Sequence, residues 1–301
     1  MPKIKYESKS FIKRNLALIE DINKIIDEYR DKGYSLSLRQ VYYQLVARDK
    51  ITNCKKSYNS IKELVKNARL AGLIDWYAIT DRTRYLRSYT VWDDPEEIIK
   101  SASRSLKLDL WQGQPCYIEA WCEKDALIDI VGNACDPTRT PYFACRGYPS
   151  TTELWRAAQR LAKITDREKI ILYCGDHDPT GMNIPEVIQQ DLSIFGANGV
   201  QVQRIALNMN QVEQYNPPPN FAKDTDTRYD QYEPKYGKTC WELDALTPDV
   251  INDLIQEKII QYLDIGQFEK MKAEEQEQQA ELFSIANDCL EAMQRAKGAN
   301  A

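Results

Sequence analysis

Three acidic residues from two distant points in the chain are candidates to bind a divalent cation. Asp176 and Asp178 follow a short apolar run at 169–174, and Glu123 follows a second such run at 116–122. Each run predicts a buried strand, and ligands of open α/β sheets bind at the carboxyl ends of the strands. Carboxylate oxygens at that place are suitable ligands for a hard cation. Asp-x-Asp-Pro is equally ordinary turn chemistry, and Glu123 is the residue that favours a metal site.

Strands that alternate with helices would position these acids. The alternation predicts an α/β fold with a mostly parallel sheet, in which the carboxyl ends of neighbouring strands share one edge. The predicted strands are 116–122, 140–144, 169–174 and 200–207. Glu119 lies in the middle of the first strand and could equally sit on an exposed edge. We therefore rank it below Glu123 as a metal ligand.

A tyrosine and an arginine near the N-terminus could also take part in chemistry. Ser37 predicts the start of a helix whose apolar stripe includes Tyr42, whereas Tyr43 is turned about 100° further round and leaves that stripe. Arg39 stands four residues before Tyr43, so both share one face. A guanidinium beside a phenol can hold a phosphate and stabilise a phenolate. The alternative is an ordinary surface tyrosine with an arginine neighbour.

The charge of the chain is divided unevenly. Residues 1–110 hold 22 Lys and Arg against 15 Asp and Glu, whereas the remainder holds 18 against 30. Three predicted helices, a strand-like run at 74–79 and an arginine-rich turn fit a helix-turn-helix domain with a β wing that binds double-stranded DNA. The basic residues that would meet phosphates are Lys55, Lys56, Lys62, Lys66, Arg69, Arg82, Arg84 and Arg87. The alternative is a solvated charged face.

Composition and patterning exclude several classes of protein. No apolar run approaches the ~20 residues of a membrane span, so we expect no membrane partner. Eight cysteines without a Cys-x-x-Cys pair, and a single histidine, disfavour a structural zinc site and predict a reducing, cytoplasmic location. The polar, Pro-rich stretch 208–239 predicts a structureless loop, whose tyrosines could stack on bases or which could be a disordered insertion.

The acidic motifs resemble those of the Toprim domain, which topoisomerases, primases and several nucleases share. A narrower resemblance is to the topoisomerase VI A subunit and its meiotic double-strand-break relative. Five motifs carry it in order along the chain, and they are 37–43 with Tyr43 as the second tyrosine, 123–127, 147–149, Asp176-x-Asp178-Pro179-x-Gly181, and 242–246. The resemblance implies three parts: a winged-helix domain at 1–110, a Rossmann-like Toprim domain at 111–265, and a C-terminal helix at 266–301.

The resemblance also implies a reaction. Glu123, Asp176 and Asp178 would hold Mg²⁺ or Mn²⁺ beside a scissile phosphate of DNA, Tyr43 would attack phosphorus to form a 5′-phosphotyrosyl bond, and Arg39 would steady the phosphate. Four further residues would support the metal ligands, and they are Lys124, His177, Glu242 and Asp244. His177 departs from the usual residue between the two aspartates and could tune the site or contact a phosphate. In that family a homodimer pairs the tyrosine of one subunit with the metal of the other.

Two alternatives to covalent cleavage stay open. The same acids could activate water, as in Toprim nucleases of mobile elements and phage defence, and Tyr43 would then be structural. A DNA-binding module that needs a partner for activity is the other. The sequence has no Gly-rich nucleotide-binding loop, so ATP-driven strand passage would require a separate ATPase or another partner protein.

Overall fold

A computed structural model of the 301-residue chain describes residues 3–79, 89–222 and 225–299. Its centre is a four-stranded parallel sheet with the strand order β2-β1-β3-β4. The strands are β1 (Cys116–Cys122), β2 (Tyr142–Ala144), β3 (Glu168–Cys174) and β4 (Val200–Ala206). These four strands match the predicted runs, and the mixed α/β class is confirmed.

Helices make up most of the remaining described residues. Eleven α-helices lie in the described part of the chain, and they are α1 (Lys13–Asp31), α2 (Leu38–Ala47), α3 (Lys55–Leu70), α4 (Pro95–Arg104), α5 (Ile128–Cys135), α6 (Thr151–Leu161), α7 (Pro179–Ile194), α8 (Met209–Tyr215), α9 (Tyr229–Tyr236), α10 (Pro248–Tyr262) and α11 (Ile265–Ala299). None of the described helices is long and apolar enough to cross a bilayer.

The two central strands of the sheet, β1 and β3, are largely buried on both faces, as their continuous apolar runs predict. Alternate residues point to opposite sides, so Ile118 and Leu172 pack with α5 and α10, while Trp121 and Tyr173 pack with α6 and α7. β1 and β3 are in register along their whole length, and Cys122 pairs with Cys174. Both strands therefore end at the same level of the sheet edge.

The N-terminal helices form a separate core. α1, α2 and α3 pack around buried residues such as Ile22, Val41 and Val65, and Ser37 and Gln40 form a reciprocal capping box at the start of α2. Ala245, from a 3-10 turn at Leu243–Ala245, joins this core. This turn thus attaches the N-terminal helices to the segment that follows the sheet.

The predicted wing is only partly visible. Residues 74–79 form turns rather than the predicted strand, and Ile79 makes an isolated parallel bridge to Leu36. The buried Ile74 packs into the helical core, which explains its strand-like apolar pattern. The arginine-rich turn with Arg82, Arg84 and Arg87 lies outside the described residues.

The prediction of a structureless loop at 208–239 is wrong. The segment contains α8 and α9 and a short antiparallel hairpin of β5 (Asn220–Phe221) and β6 (Thr239–Cys240). Tyr232 is buried, and its hydroxyl lies within hydrogen-bond distance of the carbonyls of His177 and Thr239, at 3.0 and 2.9 Å. Burial of aromatic side chains thus orders a stretch whose polar composition suggested disorder.

The predicted C-terminal helix is confirmed as α11, which begins at Ile265 and packs against α4. A small core of Leu110, Phe268 and Met271 forms at its start. The buried Glu275 of α11 accepts hydrogen bonds from Arg139, which follows α5, and from the backbone amide of Leu108. The domain boundaries at 110 and 265 stay predictions.

Candidate active site

Glu123 and Asp176 meet at the carboxyl ends of β1 and β3. The pairing of β1 with β3 continues one residue past the end of β1, where the amide of Glu123 donates a hydrogen bond to the carbonyl of Cys174 at 2.8 Å. The Glu123 carboxylate accepts hydrogen bonds from the Asp176 amide at 2.9 Å and from the Tyr173 hydroxyl at 3.3 Å. A Cβ at Gly175 would lie 2.7 Å from Oε2 of Glu123, so the turn between these residues leaves no room for a side chain.

Asp178 is the N-cap residue of α7. Its Oδ1 accepts a hydrogen bond from the Gly181 amide at 2.6 Å and caps the helix. In the three described ranges, no group of three or more His, Cys, Asp and Glu side chains is arranged to hold a metal ion. The chain therefore brings the predicted acids to one sheet edge, with Asp178 in the capping role that turn chemistry predicts.

Lys124 lies at the centre of an acidic cluster. Its Nζ lies 2.9 Å from Oδ1 of Asp176, 2.8 Å from Oε2 of Glu242 and 2.7 Å from Oδ1 of Asp244. Burial acts against the charge of Lys124, but Asp244, Asp176 and Glu242 outweigh it and hold its pKa well above the usual value. The motif at 242–246 and the lysine after β1, which are distant in sequence, thus form one ionic network.

Arg39 extends this network into the N-terminal helices. Its Nη2 contacts both carboxylate oxygens of Glu242, one of them at 2.6 Å, and its Nε lies 3.3 Å from Oδ2 of Asp244. The same guanidinium lies 3.4 Å from the hydroxyl of Tyr43. Arg39 and Tyr43 share one face of α2, as their spacing predicts.

The prediction that Tyr43 leaves the apolar core is wrong. Tyr43 is only 2% exposed and packs in the helical core together with Tyr42. The 3-10 turn that contributes Ala245 packs against α2 and covers the side chain that a helical wheel places outside the stripe. Burial raises the pKa of Tyr43, Asp244 and Glu242 raise it further, and Arg39 opposes them only in part.

His177 is buried and does not contact solvent. Its Nδ1 lies 2.8 Å from the Tyr232 hydroxyl, and its ring packs against Tyr232, Tyr236 and Trp241. Burial, with Arg204 nearby, lowers the pKa of His177 to about 4, so the ring is neutral at neutral pH. The suggested contact between His177 and a phosphate is therefore wrong. The residue instead joins the 208–239 segment to residues 175–178, the loop between β3 and α7 that we call the acidic loop.

Arg204 of β4 is a site residue that the sequence reasoning missed. Its guanidinium donates hydrogen bonds to the carbonyls of Gly175, Asp176 and Gly181 at 2.8, 2.6 and 2.8 Å. All three belong to the loop and helix start that carry Asp176 and Asp178. The sequence did contain a signal for this role, because Arg204 is the one charged residue of a strand whose other residues are apolar or uncharged. A charged side chain close to the core needs hydrogen-bond acceptors.

The basic residues of α3 separate into two groups. Lys55, Lys56, Lys62 and Lys66 are exposed, and Lys55 also lines the cleft described below. Arg69 differs, because its guanidinium donates to the carbonyls of Trp76 and Ile79 at 3.0 and 2.5 Å. Arg69 therefore anchors the turn after α3, and its assignment to DNA stays a prediction. Glu119, in the middle of β1, is buried, and its carboxylate pairs with Arg160 at 2.8 Å. It therefore does not lie on an exposed edge of the sheet.

A single cleft joins these parts. It has a volume of about 760 Å³ and lies between the α2–α3 region, the acidic loop and the β5–β6 hairpin. Its walls include residues of the N-terminal helices and of the acidic network, and they are Arg39, Tyr43, Lys55, Lys124, Asp176, Asp178 and Glu242. Glu123 does not line the cleft itself, and it supports the wall through its bond to the Asp176 amide.

The chemistry of this edge fits a divalent cation. Burial raises the pKa of Glu123 to about 7, and the charges of Asp176 and Asp178 add to this effect. Such mutual repulsion between carboxylates is relieved by a bound cation. Mg²⁺ binds through one or two carboxylates together with waters and substrate phosphates, so a cage of three protein ligands is not required. Glu123 and Asp176 are therefore the residues that could hold Mg²⁺ or Mn²⁺.

A scan against models of known protein families and a search of curated proteins both return no match to this chain. Any assignment of function must therefore come from the geometry and electrostatics of the cleft.

Proposed function

We propose that this protein cleaves DNA phosphodiester bonds with a divalent metal ion, as a Toprim-type enzyme with a winged-helix-like N-terminal domain. One observation carries the proposal: Glu123 and Asp176 stand at the level ends of two paired parallel strands, beside a cleft that also contains cationic residues of α2 and α3. Acids that bind a metal and cations that bind phosphate are the two requirements of such a site.

The residues of the cleft divide these tasks. Glu123 and Asp176, with Asp178 beside them, would hold Mg²⁺ or Mn²⁺, which when bound stabilises negative charge on the scissile phosphate. Lys55 is exposed on the cleft wall and can contact a backbone phosphate. Lys124 keeps its charge because of its three carboxylate partners and orients the Asp176 carboxylate.

Water is the nucleophile that the surroundings of Tyr43 favour. The phenol is buried against Glu242 and Asp244, and its raised pKa opposes formation of the phenolate that attacks phosphorus. A phosphotyrosyl route is the second candidate, and the contact between Tyr43 and Arg39 within the same cleft favours it. Tyr43 and Asp176 line the same cleft of this chain.

Plasmid cleavage tests the proposal. The wild-type protein should convert supercoiled DNA to nicked or linear forms with Mg²⁺ or Mn²⁺, and Asp176→Asn should lower the rate by roughly 100-fold or more. Asp166→Asn is a matched control, because Asp166 is exposed and precedes β3, at the other end of the strand from Asp176. Failure of the wild type to cut with either ion, or full activity of Asp176→Asn, would refute the proposal.

The same assay distinguishes the two nucleophiles. Hydrolysis predicts free DNA ends after denaturation, with or without protease, and activity within about threefold of wild type for Tyr43→Phe. Ends that stay attached to protein until protease is added, together with an inactive Tyr43→Phe variant, would identify the tyrosyl route instead.

A further inference from the structure

We propose that the cleft contains a binding site for the base of an unpaired nucleotide, with Phe221 as the stacking residue. The DNA that is cut would then be single-stranded or opened at the cleft. The inference rests on the proposed function, which it deepens by naming the substrate class.

Phe221 is an unusual residue on the cleft wall. It lines the cleft, yet its side chain is 90% exposed. A phenyl ring this exposed contributes little to the core, whereas Tyr215 and Tyr229, the aromatic residues nearest to it in the sequence, are partly buried and Tyr232 is buried. An exposed aromatic ring on the wall of a cleft, beside an exposed lysine, is the arrangement that proteins use to stack a nucleic-acid base.

The backbone around Phe221 sets the face of the hairpin from which the ring projects. Phe221 pairs with Thr239 across the β5–β6 hairpin, and the amide of Ala222 donates to the carbonyl of Lys238 at 2.9 Å. Such pairing fixes the direction of the side chain, because alternate residues of a strand point to opposite faces. A phenylalanine side chain has only two rotatable bonds, so it loses little conformational entropy when a base stacks on it.

Side chains tie this hairpin to both sides of the cleft. Asn53, just before α3, donates from Nδ2 to the carbonyl of Pro219 and to Oδ1 of Asn220, both at 2.9 Å. Asn220 in turn donates to Oε1 of Glu242 at 3.2 Å. The position of Phe221 is therefore set relative to the N-terminal helices and to the acidic network, as a subsite for a substrate at those acids requires.

The size of the cleft and the chemistry of stacking select the ligand. A volume of about 760 Å³ lies within the ~300–1,000 Å³ of sites for small ligands, and suits one or two nucleotides rather than a whole duplex. Within a duplex each base is covered by its stacked neighbours, so an aromatic ring reaches only a base that is unpaired or flipped out. The exposed lysines of α3, including Lys62 and Lys66, would hold the flanking phosphates.

Fluorescence anisotropy with labelled oligothymidylate and a duplex of equal length tests the inference, with Ca²⁺ in place of Mg²⁺. Phe221→Ala should weaken binding of the single strand by roughly 5- to 150-fold, the loss expected for one stacked base, and duplex binding by less than about twofold. Phe221→Trp should retain single-strand binding. Trp155→Ala is the control, because Trp155 is half-exposed on α6 and does not line the cleft.

Two results would overturn the inference. Phe221→Ala could bind the single strand as tightly as wild type, or it could lose single-strand and duplex binding equally. If the wild type still cleaves plasmid in either case, the proposed function stands and the stacking site alone is wrong. If the wild type neither binds nor cleaves any DNA, the proposed function fails and the stacking site fails with it.

Discussion

Replacing Arg204 should uncouple the acidic loop from the sheet. Arg204→Met keeps an unbranched side chain of similar reach and removes the guanidinium that contacts the carbonyls of Gly175, Asp176 and Gly181. The last of these contacts has a specific cause. Residue 185 of α7 is proline, which has no amide hydrogen for the Gly181 carbonyl four residues earlier, and Arg204 supplies the missing donor.

The expected loss of unfolding free energy depends on which carbonyls lose their hydrogen-bond donor. Gly175 keeps a second partner, because the Leu207 amide also donates to its carbonyl at 2.8 Å. Gly181 is buried, and a buried carbonyl without a partner costs about 1–3 kcal/mol. The carbonyls of Asp176 and Leu207 also lose a charged donor, which adds a contribution of similar size, while a partly buried arginine recovers some solvation when it is removed. We therefore expect Arg204→Met to lower the free energy of unfolding by about 3 kcal/mol.

Urea denaturation measures this loss, and Mg²⁺ titration of plasmid cleavage measures its effect on the site. The concentration of Mg²⁺ for half-maximal cleavage should rise, because Asp176 and Asp178 lie on the loop that Arg204 holds. Arg156→Met is the control, since Arg156 is largely exposed on α6 and should cost less than about 0.5 kcal/mol. An unfolding free energy for Arg204→Met within that margin of wild type would show that the contacts do not hold the loop.

Two further predictions concern ionisable side chains away from the acidic network. Hydrogen bonding from Arg139 lowers the pKa of Glu275 from 4.5 to about 2, so the pair stabilises the fold above pH 4.5 and loses this contribution as the pH falls toward 2. Glu275→Gln should accordingly flatten the acid limb of urea-unfolding free energies, and an unchanged limb would contradict this. The second prediction concerns Cys54, which is exposed. A hydrogen bond between its Sγ and the hydroxyl of Ser57, at 3.2 Å, lowers the pKa of the Cys54 thiol. Iodoacetamide should modify Cys54 faster than the exposed Cys289, as measured by mass spectrometry. Bound oligothymidylate should slow the modification of Cys54 and leave that of Cys289 unchanged. Equal slowing of both cysteines, or no slowing, would place the DNA outside the cleft.

The sheet and its acidic edge could be predicted because their signals are local. A continuous apolar run, a turn with proline and glycine, and the alternation of strands with helices are all readable within about thirty residues. These signals placed Glu123 and Asp176 at the ends of β1 and β3, and the register of the two strands brings them together. The number of strands and their parallel direction followed from the same pattern.

The surroundings of these residues could not be predicted, because they come from distant parts of the chain. A helical wheel describes one helix, and Tyr43 is buried by a turn about two hundred residues later. The segment 208–239 reads as polar by composition, yet a few aromatic side chains suffice to fold it onto His177. Sequence periodicity reports which residues prefer burial, and it does not report which element will cover them.

The ionic network also bears on which nucleophile the cleft can use. Burial alone would raise the pKa of Glu242, but Lys124 and Arg39 lower it to about 2, so its carboxylate stays charged at neutral pH. Burial, together with the charges of Asp244 and Glu242, raises the pKa of the Tyr43 hydroxyl and disfavours the phenolate. Arg39 cannot fully compensate, because its guanidinium is already shared with the same two carboxylates. Glu242→Gln should therefore lower the pKa of Tyr43, and a tyrosyl route that is blocked in the wild type by this charge would become faster in that variant.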